Sequence, residues 1–543
     1  MKIFFFSMLI LLILGSQTLL AQTQGTQLKP RIINMTDLGA DPDDQQSMIR
    51  FLVQSNEYDI EGLIVTTGCW KKSQSDITML NDLLNAYGQV VSNLQVHDPD
   101  FPSLAYLQSV SALGQRNYGM DDVGSGKDSP GSELIISAVD EDDPRPIWIC
   151  FWGGGNTLAQ ALWKVQNTRS PAELQEFISK IRVYDVLGQD NAGTWIAKNF
   201  PEIIYIRATG VYGWQPSDSW LDTHVQSHGP LGAVYPDRKW ATEGDTPSFL
   251  HLFPNGLNNP DEVWQGSWGG RFDREKKAGI RGMSCMSGED AQFDPYYMYG
   301  NTSAGASDIS RWSKGYNNDF QARMDWSITG NYSEANHHPI AVINGDETKQ
   351  VLEVSAAPGS TVNLSATGSS DPDGDSLSYK WFFYRDPGTY KKSVTIDNSK
   401  TITPTVHVPS DAGGSELHII LELRDSGDPS LYAYRRVIIN VSENTSIEKL
   451  KSNMIPKTFK LHQNYPNPFN PATTISFQLP CQNYIVLKIY DLHAREMAVL
   501  AEGIWPAGIH KLQLNGSGPT SGIYFVRLQA GLYAKTIKIL RTK

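Results

Sequence analysis

The sequence predicts an α/β protein with a mostly parallel sheet, followed by two all-β modules. Between residues 28 and 340, short apolar runs rich in β-branched and aromatic residues alternate with helical stretches. This alternation is typical of a parallel sheet with helices on both faces. After residue 341, apolar and polar positions alternate, which indicates strands with one buried face. A chain of 543 residues is long enough for several domains.

Five apolar runs are predicted as buried strands, and the stretches between them as helices. The predicted strands are 31–35, 62–67, 146–152, 181–187 and 203–209. The predicted helices are 45–54, 74–91, 132–139, 156–166 and 171–180. In a doubly wound sheet, ligands bind beyond the carboxyl ends of the strands. We therefore expect the functional site in the loops that follow these strands.

The rest of the chain divides into smaller predicted segments. Residues 341–443 have the size and alternation of an immunoglobulin-like β-sandwich. Residues 444–457 are polar and predict a linker, and residues 458–543 contain short strands separated by Pro/Gly turns.

The N-terminus predicts export. Residues 1–21 combine Lys2, an apolar run and the small residue Ala21, as a signal peptide does, so that the mature chain would begin near Gln22. No other stretch is apolar enough to predict a stable membrane span. The net charge of −12 disfavours nucleic acid as a partner, because nucleic-acid binding needs a basic face.

Four aspartates crowd the stretch "TDLGADPDD" directly after the first predicted strand: Asp37, Asp41, Asp43 and Asp44. Polar loops also follow the next three strands, and parallel strands would bring all four loops to one edge of the sheet. Carboxylates and carbonyls grouped there are the ligands of a hard cation such as Ca²⁺. Helix capping by Asp43 and Asp44 is the alternative, and it explains two of the four aspartates.

Two resemblances to known families follow from motifs. Residues 458–543 closely resemble the C-terminal sorting domain of the type IX secretion system of Bacteroidetes-related bacteria, through "NYPNPFNP", Tyr490-Asp491, Gly508 and "SGIY". This resemblance implies the type IX machinery as a partner. It also implies a protein that is secreted or held at the outer cell surface.

The stretch from "TDLGADPDD" onward resembles the inosine-uridine nucleoside hydrolases, together with "IVTTG", "GGGNTLAQAL" and "NNDFQARMDW". The combination with "LGQDNAGTWIAKNFPEI", "GSWGGRF" and "NHHP" is similar to a bacterial branch described as a cellulose-binding, nucleoside-hydrolase-like domain followed by a β-sandwich. The resemblance covers residues 28 to 443 and implies a nucleoside-hydrolase-like domain over residues 22–340.

The nucleoside-hydrolase resemblance implies a set of site residues. Asp37, Asp44 and Asp319 would ligate Ca²⁺, with Asp319 at a helix start, and Asn156 would lie where these enzymes use a backbone carbonyl. Asp43 would be the general base for a water activated by Ca²⁺. That water would attack an anomeric carbon with oxocarbenium character.

The sequence departs from the nucleoside hydrolases where those enzymes bind ribose. The loop from Asp37 to Asp43 is two residues longer, Cys69 and Trp70 replace an asparagine, and "QDNAG" replaces the ribose clamp. These changes favour a different glycosyl substrate. Four residues are candidates for substrate contact: Trp70, Asp190, Trp268 and His337. Core packing is the alternative for Trp268, and a structural role is the alternative for His337.

Three functions are compatible with these features. The first is a secreted, calcium-dependent glycosyl hydrolase acting on plant or algal polysaccharide or its fragments, with Asp43 as base. The second is a carbohydrate-binding protein without turnover, and the third is a nucleoside hydrolase. Retention of both Asp43 and Asp44 favours the first function over the second, because a binding protein needs no base beside a metal.

Overall fold

In the computed structural model, the described residues are 29–240, 242–283, 290–443, 456, 458–480, 482–514, 521–531 and 533–542. The predicted signal peptide and all but one residue of the predicted linker lie outside these ranges. Among the residues that the structure describes, no helix has the length and apolar character needed to cross a bilayer.

The N-terminal α/β part is built on a sheet with the strand order β3-β2-β1-β4-β5-β6-β8-β7. Every neighbouring pair is parallel except β7 and β8. The strands are β1 (Arg31–Thr36), β2 (Asp59–Val65), β3 (Ser111–Leu113), β4 (Ile147–Phe151), β5 (Ile181–Val186), β6 (Ile204–Ala208), β7 (Lys277–Ala278) and β8 (Tyr297–Gly300). The five predicted strands and the mostly parallel sheet are confirmed. The three strands that were not predicted are two to four residues long, too short to show a periodic pattern.

Helices cover both faces of this sheet and bury two separate apolar clusters. The helices are α1 (Pro42–Val53), α2 (Thr78–Gly88), α3 (Val91–His97), α4 (Leu104–Ser109), α5 (Pro130–Asp140), α6 (Asn156–Thr168), α7 (Pro171–Ser179), α8 (Ala192–Asn199), α9 (Asp218–Leu221), α10 (Gly229–Ala233), α11 (Thr246–Leu250), α12 (Ser307–Ser310) and α13 (Ser313–Ile328). The five predicted helices are confirmed, with α2 shorter than expected. Right-handed crossovers through such helices keep the strands parallel and place their carboxyl ends at one edge.

The region after residue 341 forms two facing sheets with orders β10-β13-β12 and β11-β14-β15-β9. The strands are β9 (Leu352–Ala356), β10 (Thr361–Asn363), β11 (Ser378–Phe383), β12 (Thr395–Asp397), β13 (Thr405–His407), β14 (Glu416–Arg424) and β15 (Tyr432–Val441). Alternate residues of β14 and β15 fill the sandwich core, as strand periodicity requires. The intervening residues face the α/β part: Ile420 and Tyr434 join its core, and Arg436 donates to the Gly266 carbonyl at 3.0 Å. Residues up to Ser442 therefore form one compact unit.

The C-terminal unit is a separate all-β module with its own apolar core. Its sheets have the orders β16-β17-β20 and β19-β18-β21-β22. The strands are β16 (Lys460–Leu461), β17 (Thr473–Leu479), β18 (Asn483–Tyr490), β19 (Glu496–Trp505), β20 (Gly508–Leu514), β21 (Gly522–Ala530) and β22 (Tyr533–Arg541).

Candidate active site

The loops after β1, β2, β4 and β5 meet at one edge of the sheet, as the sequence predicts. Backbone contacts tie them together: the Gly154 amide donates to the Thr67 carbonyl at 2.8 Å, and the Trp152 amide donates to the Met35 carbonyl at 2.7 Å. The Cys69 amide donates to Gln189 Oε1 at 3.2 Å. This edge is therefore a closely connected set of loops, and the aspartates of the first loop lie within it.

Asp37 is the most enclosed of these aspartates. It has no exposed surface, and neither carboxylate oxygen has a hydrogen-bond partner among the described residues. A Cβ atom on Gly68 would collide with this carboxylate, and one on Gly153 would lie 2.9 Å from Asp37 Cβ. The glycines of "TTG" and "GGG" are thus required for close approach to Asp37. Burial, and then the charge of Asp41, raises the pKa of Asp37 to about 7.

Asp41, Asp43 and Asp44 are arranged by the start of α1. Asp41 is the capping residue and accepts from the Asp43 amide at 3.2 Å, and Pro42 occupies the first helical position. Helix capping was the alternative role for Asp43 and Asp44, and the structure gives the cap to Asp41 instead; Asp43 and Asp44 lie within the first turn, where their charges offset the helix dipole. One carboxylate oxygen from each of the three aspartates lies within 4.8 Å of the others.

Asp245 is a buried carboxylate of this site that sequence analysis missed. It directly precedes α11, and its Oδ2 atom has no hydrogen-bond partner among the described residues. Burial raises its pKa well above the usual range, and the charges of Asp44 and Asp37 raise it further, which places Asp245 beside both. The signal in the sequence is the carboxylate before Thr246-Pro247, a pattern typical of a helix start.

These carboxylates fit a hard divalent cation. Asp44 accepts a hydrogen bond from the Thr36 hydroxyl, but burial and the Asp37 charge still raise its pKa well above the usual range. Buried carboxylates that repel one another must be protonated or neutralised by a positive charge. The oxygen atoms of Asp37 and Asp245 that lack a donor are the ligand type that Ca²⁺ requires.

The predicted third ligand, Asp319, lies elsewhere, and its assignment is corrected. It sits inside α13 rather than at a helix start, and it accepts from Gln54 Nε2 at 2.5 Å, Arg323 Nε at 2.7 Å and His338 Nε2 at 2.8 Å. Gln54 follows the last residue of α1, whereas Asp44 is in its first turn, so about 15 Å of helix separates them. Asp319 is therefore part of a buried ion-pair network.

Asn156 and Asp190 hold the loops of the site in place. Asn156 Nδ2 donates to the Asn117 carbonyl at 2.8 Å and to the Thr67 hydroxyl at 3.0 Å. The binding of Ca²⁺ by a backbone carbonyl at Asn156 stays a prediction. Asp190 is buried and accepts from the amides of Gly155 and Asn156 at 3.0 and 3.1 Å. We therefore correct Asp190 from a substrate contact to a positioning residue, and burial raises its pKa to about 6.

Two further substrate candidates are structural. Trp268 is completely buried, and its ring centroid lies 4.7 Å from that of Phe253 in the core. His337 is buried against Tyr332, with ring centroids 3.7 Å apart, and it contacts Asp373 at 3.0 Å. Neither side chain reaches the strand-end site, so core packing decided both positions.

Trp70, in contrast, lines an open cleft beside the aspartates. The cleft has a volume of about 870 Å³, and Asp41, Gln215 and Arg238 contribute polar groups to it. Three aromatic side chains at the cleft are unusually exposed: Trp240 by 77%, Trp70 by 59% and Tyr212 by 40%. Tyr212 also donates to Asp43 Oδ2 at 3.3 Å. Asp43 therefore lies where the carboxylate cluster meets the cleft.

A buried ion pair supports the loop that carries Asp245. Arg50 Nε lies 2.6 Å from Glu243 Oε2, and neither side chain has exposed surface. Glu243 adopts a left-handed backbone with φ +47°, and its amide donates to Gln46 Oε1 at 3.1 Å. Because two helix α1 residues hold Glu243, they also fix Asp245 two residues later.

Glu243→Gln should lower the free energy of unfolding by about 3–5 kcal/mol, because Arg50 would be left buried without a countercharge. Urea denaturation measures this change. Arg169→Gln is the matched control, since Arg169 forms a more exposed pair with Asp140 and should cost less than about 1 kcal/mol. Equal costs for the two variants would contradict a supporting role for Arg50 and Glu243.

The parallel sheet with carboxylates grouped at its strand ends defines a nucleoside-hydrolase-like α/β protein, and comparisons with known proteins agree. The family model "Cellulose-binding Sde182, nucleoside hydrolase-like domain" matches residues 31–272. "Cellulose-binding protein Sde0182, C-terminal domain" matches residues 361–441, and "Secretion system C-terminal sorting domain" matches residues 463–541. No curated protein matches the chain.

Among solved structures, a nucleoside hydrolase-related hypothetical protein from Saccharophagus degradans, described as associated with carbohydrate metabolism, is 62% identical. The match covers 76% of this chain and 100% of that one, with a TM-score of 0.74. This chain belongs to that nucleoside-hydrolase-like family. The effector protein XOO4466 is 10% identical, with a TM-score of 0.33, over 56% of this chain and 95% of that one. The PKD domain of KIAA 1837 is 21% identical, with a TM-score of 0.14, over 18% of this chain and 83% of that one. These two are too distant to inform function.

The sorting-domain match confirms the predicted destination of the chain. A type IX C-terminal sorting domain indicates export, with the protein either secreted or held at the outer surface. After export, the candidate site described above lies outside the cytoplasm.

Proposed function

We propose that this chain is an exported, calcium-dependent glycosyl hydrolase that acts on a neutral polysaccharide or its fragments. The observation that carries the proposal is the position of Asp43, between a buried carboxylate cluster and an aromatic cleft. Exposed aromatic rings suit the C–H faces of sugars, and carboxylates suit water activation. The family description as cellulose-binding and the carbohydrate association of the S. degradans protein support this substrate class.

The residues of this chain divide the proposed work. Asp37, Asp44 and Asp245 would hold Ca²⁺ through carboxylate oxygens that otherwise repel one another. When bound, the ion supplies positive charge that makes a nearby water more acidic. Asp43 would accept a proton from the attacking water as the bond between the anomeric carbon and the leaving-group oxygen breaks, and the leaving oxygen would take a proton from solvent in the open cleft. The Tyr212 hydroxyl orients the Asp43 carboxylate through their hydrogen bond.

A second candidate function is carbohydrate binding without turnover, which the family description favours. One experiment separates the candidates: the purified chain is incubated with neutral oligosaccharides, with inosine and with uridine, each with Ca²⁺ and with chelator. Calcium-dependent release of reducing sugar supports the proposed hydrolase. Binding of polysaccharide without release supports the binding protein, and efficient cleavage of inosine or uridine would show that Trp70 does not exclude ribosides.

Trp240→Ala and Trp70→Ala should each raise KM for neutral oligosaccharides about tenfold, because each removes one stacking surface for a sugar ring. Both side chains are mostly exposed, so the melting temperature should stay unchanged. Initial rates over a range of substrate concentrations give KM and kcat. Tyr484→Ala, an exposed aromatic of the sorting module, is the control. An unchanged KM in both tryptophan variants would remove the cleft from the substrate-binding surface.

A further inference from the structure

A second groove lies at the junction between the α/β part and the β-sandwich. Its volume is about 680 Å³, within the range of ligand-binding clefts. One wall is the loop 258–265, and the other is the sheet surface of β9, β14 and β15. Residues up to Ser442 form one compact unit, so the two walls belong to the same body. The groove is therefore a surface feature of a single compact unit, open to a ligand.

Trp264 provides an aromatic surface in this groove, and a cation stacks on its ring. Trp264 lines the groove, and the Arg274 guanidinium carbon lies 5.0 Å from its ring centroid. Arg274 does not itself line the groove, and it pairs with Glu416 on β14. A cation stacked on one ring face and paired across the junction fixes the indole orientation. Trp264 is thus a preorganised platform for one ring of a ligand.

The polar lining suits hydroxyl groups and disfavours anions. Among the residues that line the groove, only Lys349 is cationic. Amide and carboxylate side chains surround Trp264: Asn258, Asn259, Gln265, Gln350, Asn440, Glu262, Glu353 and Glu416. Amides and carboxylates together donate to and accept from hydroxyl groups. With Arg274 paired to Glu416, three carboxylates face two cations, so the groove offers no cluster of free cations for phosphate, sulfate or uronate groups. The chemistry therefore fits an uncharged, hydroxyl-rich ligand.

The groove is longer than one cavity. An adjoining cleft of about 380 Å³ shares five of its lining residues: Asn258, Asn259, Pro260, Lys349 and Gln350. That cleft reaches Pro30 and Arg31, where β1 begins, and Pro146, just before β4. Its further cationic lining residues are already in ion pairs with carboxylates: Lys29 with Asp100, Arg31 with Glu61 and Arg145 with Asp59. We call these two adjoining cavities the Trp264 trough, and together they fit an extended chain better than a single sugar.

This trough is separate from the aspartate cluster. It reaches the amino end of β1, whereas Asp37 follows the carboxyl end of the same strand. Six residues at about 3.3 Å each place these two ends about 20 Å apart. A ligand in the trough would therefore leave the cleft at Trp70 and Trp240 free.

We propose that the Trp264 trough binds a linear, neutral polysaccharide chain and anchors the protein on it. The ligand class rests on the proposed carbohydrate function, but the site does not depend on catalysis at Asp43. Anchoring by the trough would keep the aspartate cleft close to polymer strands without occupying it.

The test measures retention of the full chain on phosphoric-acid-swollen cellulose by depletion from solution, and its mobility in gels containing soluble hydroxyethylcellulose. Trp264→Ala should raise the apparent Kd for both polymers about tenfold or more, as loss of an aromatic anchor does. Trp163→Ala is the matched control, since Trp163 lies on α6 and lines neither the trough nor the aspartate cleft. It should bind like the wild type.

Asn440→Arg provides a second variant in case Trp264→Ala fails to fold, because it narrows the trough from the opposite wall and leaves the indole in place. It should also raise the Kd about tenfold. Unchanged retention in Asn440→Arg, or retention that falls with Trp240→Ala and not with the trough variants, would overturn the proposal. A wild type that retains no polymer would overturn it too. The oligosaccharide assay tests the proposed hydrolase activity separately, so a failure of that proposal can be told apart from a failure of this one.

Discussion

Asp43→Asn is expected to lower kcat for oligosaccharide hydrolysis by about 10² to 10⁴, the usual effect of removing a general base. In the structure, the Asp44 amide donates a hydrogen bond to Asp43 Oδ1 at 3.1 Å. Asparagine keeps the size of the side chain, and its amide oxygen can still accept this hydrogen bond. It cannot take a proton from water. KM, the melting temperature and calcium affinity should therefore change little. Steady-state rates, differential scanning fluorimetry and calcium titration measure the three properties.

Asp41→Asn is the matched control for Asp43→Asn. It removes one negative charge from the same cluster, and asparagine caps a helix as well as aspartate does. The kcat of Asp41→Asn should fall less than tenfold. The kcat of Tyr212→Phe should lie between those of the two aspartate variants, because this change removes the hydrogen bond that orients Asp43 but keeps the Asp43 carboxylate. If Asp43→Asn and Asp41→Asn lose the same activity, Asp43 is not the base.

Calcium is expected to stabilise the chelated protein, and Asp245→Asn to abolish most of that stabilisation. At a free concentration one hundred times the Kd, an ion that binds the folded state adds about 2.7 kcal/mol. Asp245 contributes a buried oxygen atom without a donor, so its loss should weaken calcium binding by at least tenfold. Calorimetric titration and melting curves with and without chelator measure both effects.

Asp319→Asn separates the two candidates for the third carboxylate. Its loss leaves Arg323 poorly compensated in the core, so the free energy of unfolding should fall by several kcal/mol. Calcium affinity should not change, because Asp319 bonds to Gln54 at the far end of α1. A variant that loses calcium affinity while keeping its stability would restore Asp319 to the ligand set.

The pH dependence of the chelated protein gives an independent check on the cluster. Burial raises the folded-state pKa of Asp37 from 3.8 to about 7. The stability associated with its protonated form is complete below about pH 4 and is lost as the pH rises through 7. Melting temperatures in chelator should therefore fall between pH 4 and 7. With calcium the loss should disappear, since the ion favours the ionised carboxylates. A flat profile in chelator would contradict close packing of the aspartates.

The local pattern of the sequence determined which segments of the α/β part are strands and which are helices. The apolar runs of β1, β2, β4, β5 and β6 and the helices between them are visible as periodicity, and parallel pairing follows from that alternation. The same pattern brought the loop of Asp37 to the edge of the sheet with the loops after β2, β4 and β5. These predictions succeeded because each depends on residues close together in the chain.

Tertiary structure alone decided which side chains join the site. Asp245 lies about two hundred residues from Asp37, and it reaches the cluster because α1 holds Glu243 through Arg50. Asp319 stands in the motif "NNDFQARMDW", which resembles that of a metal ligand, yet its carboxylate accepts hydrogen bonds from Arg323 and Gln54 instead. Trp268 and Trp240 are the same residue type, but one is buried in the core and the other is 77% exposed. Burial and pairing depend on contacts between distant segments, which periodicity along the chain does not encode.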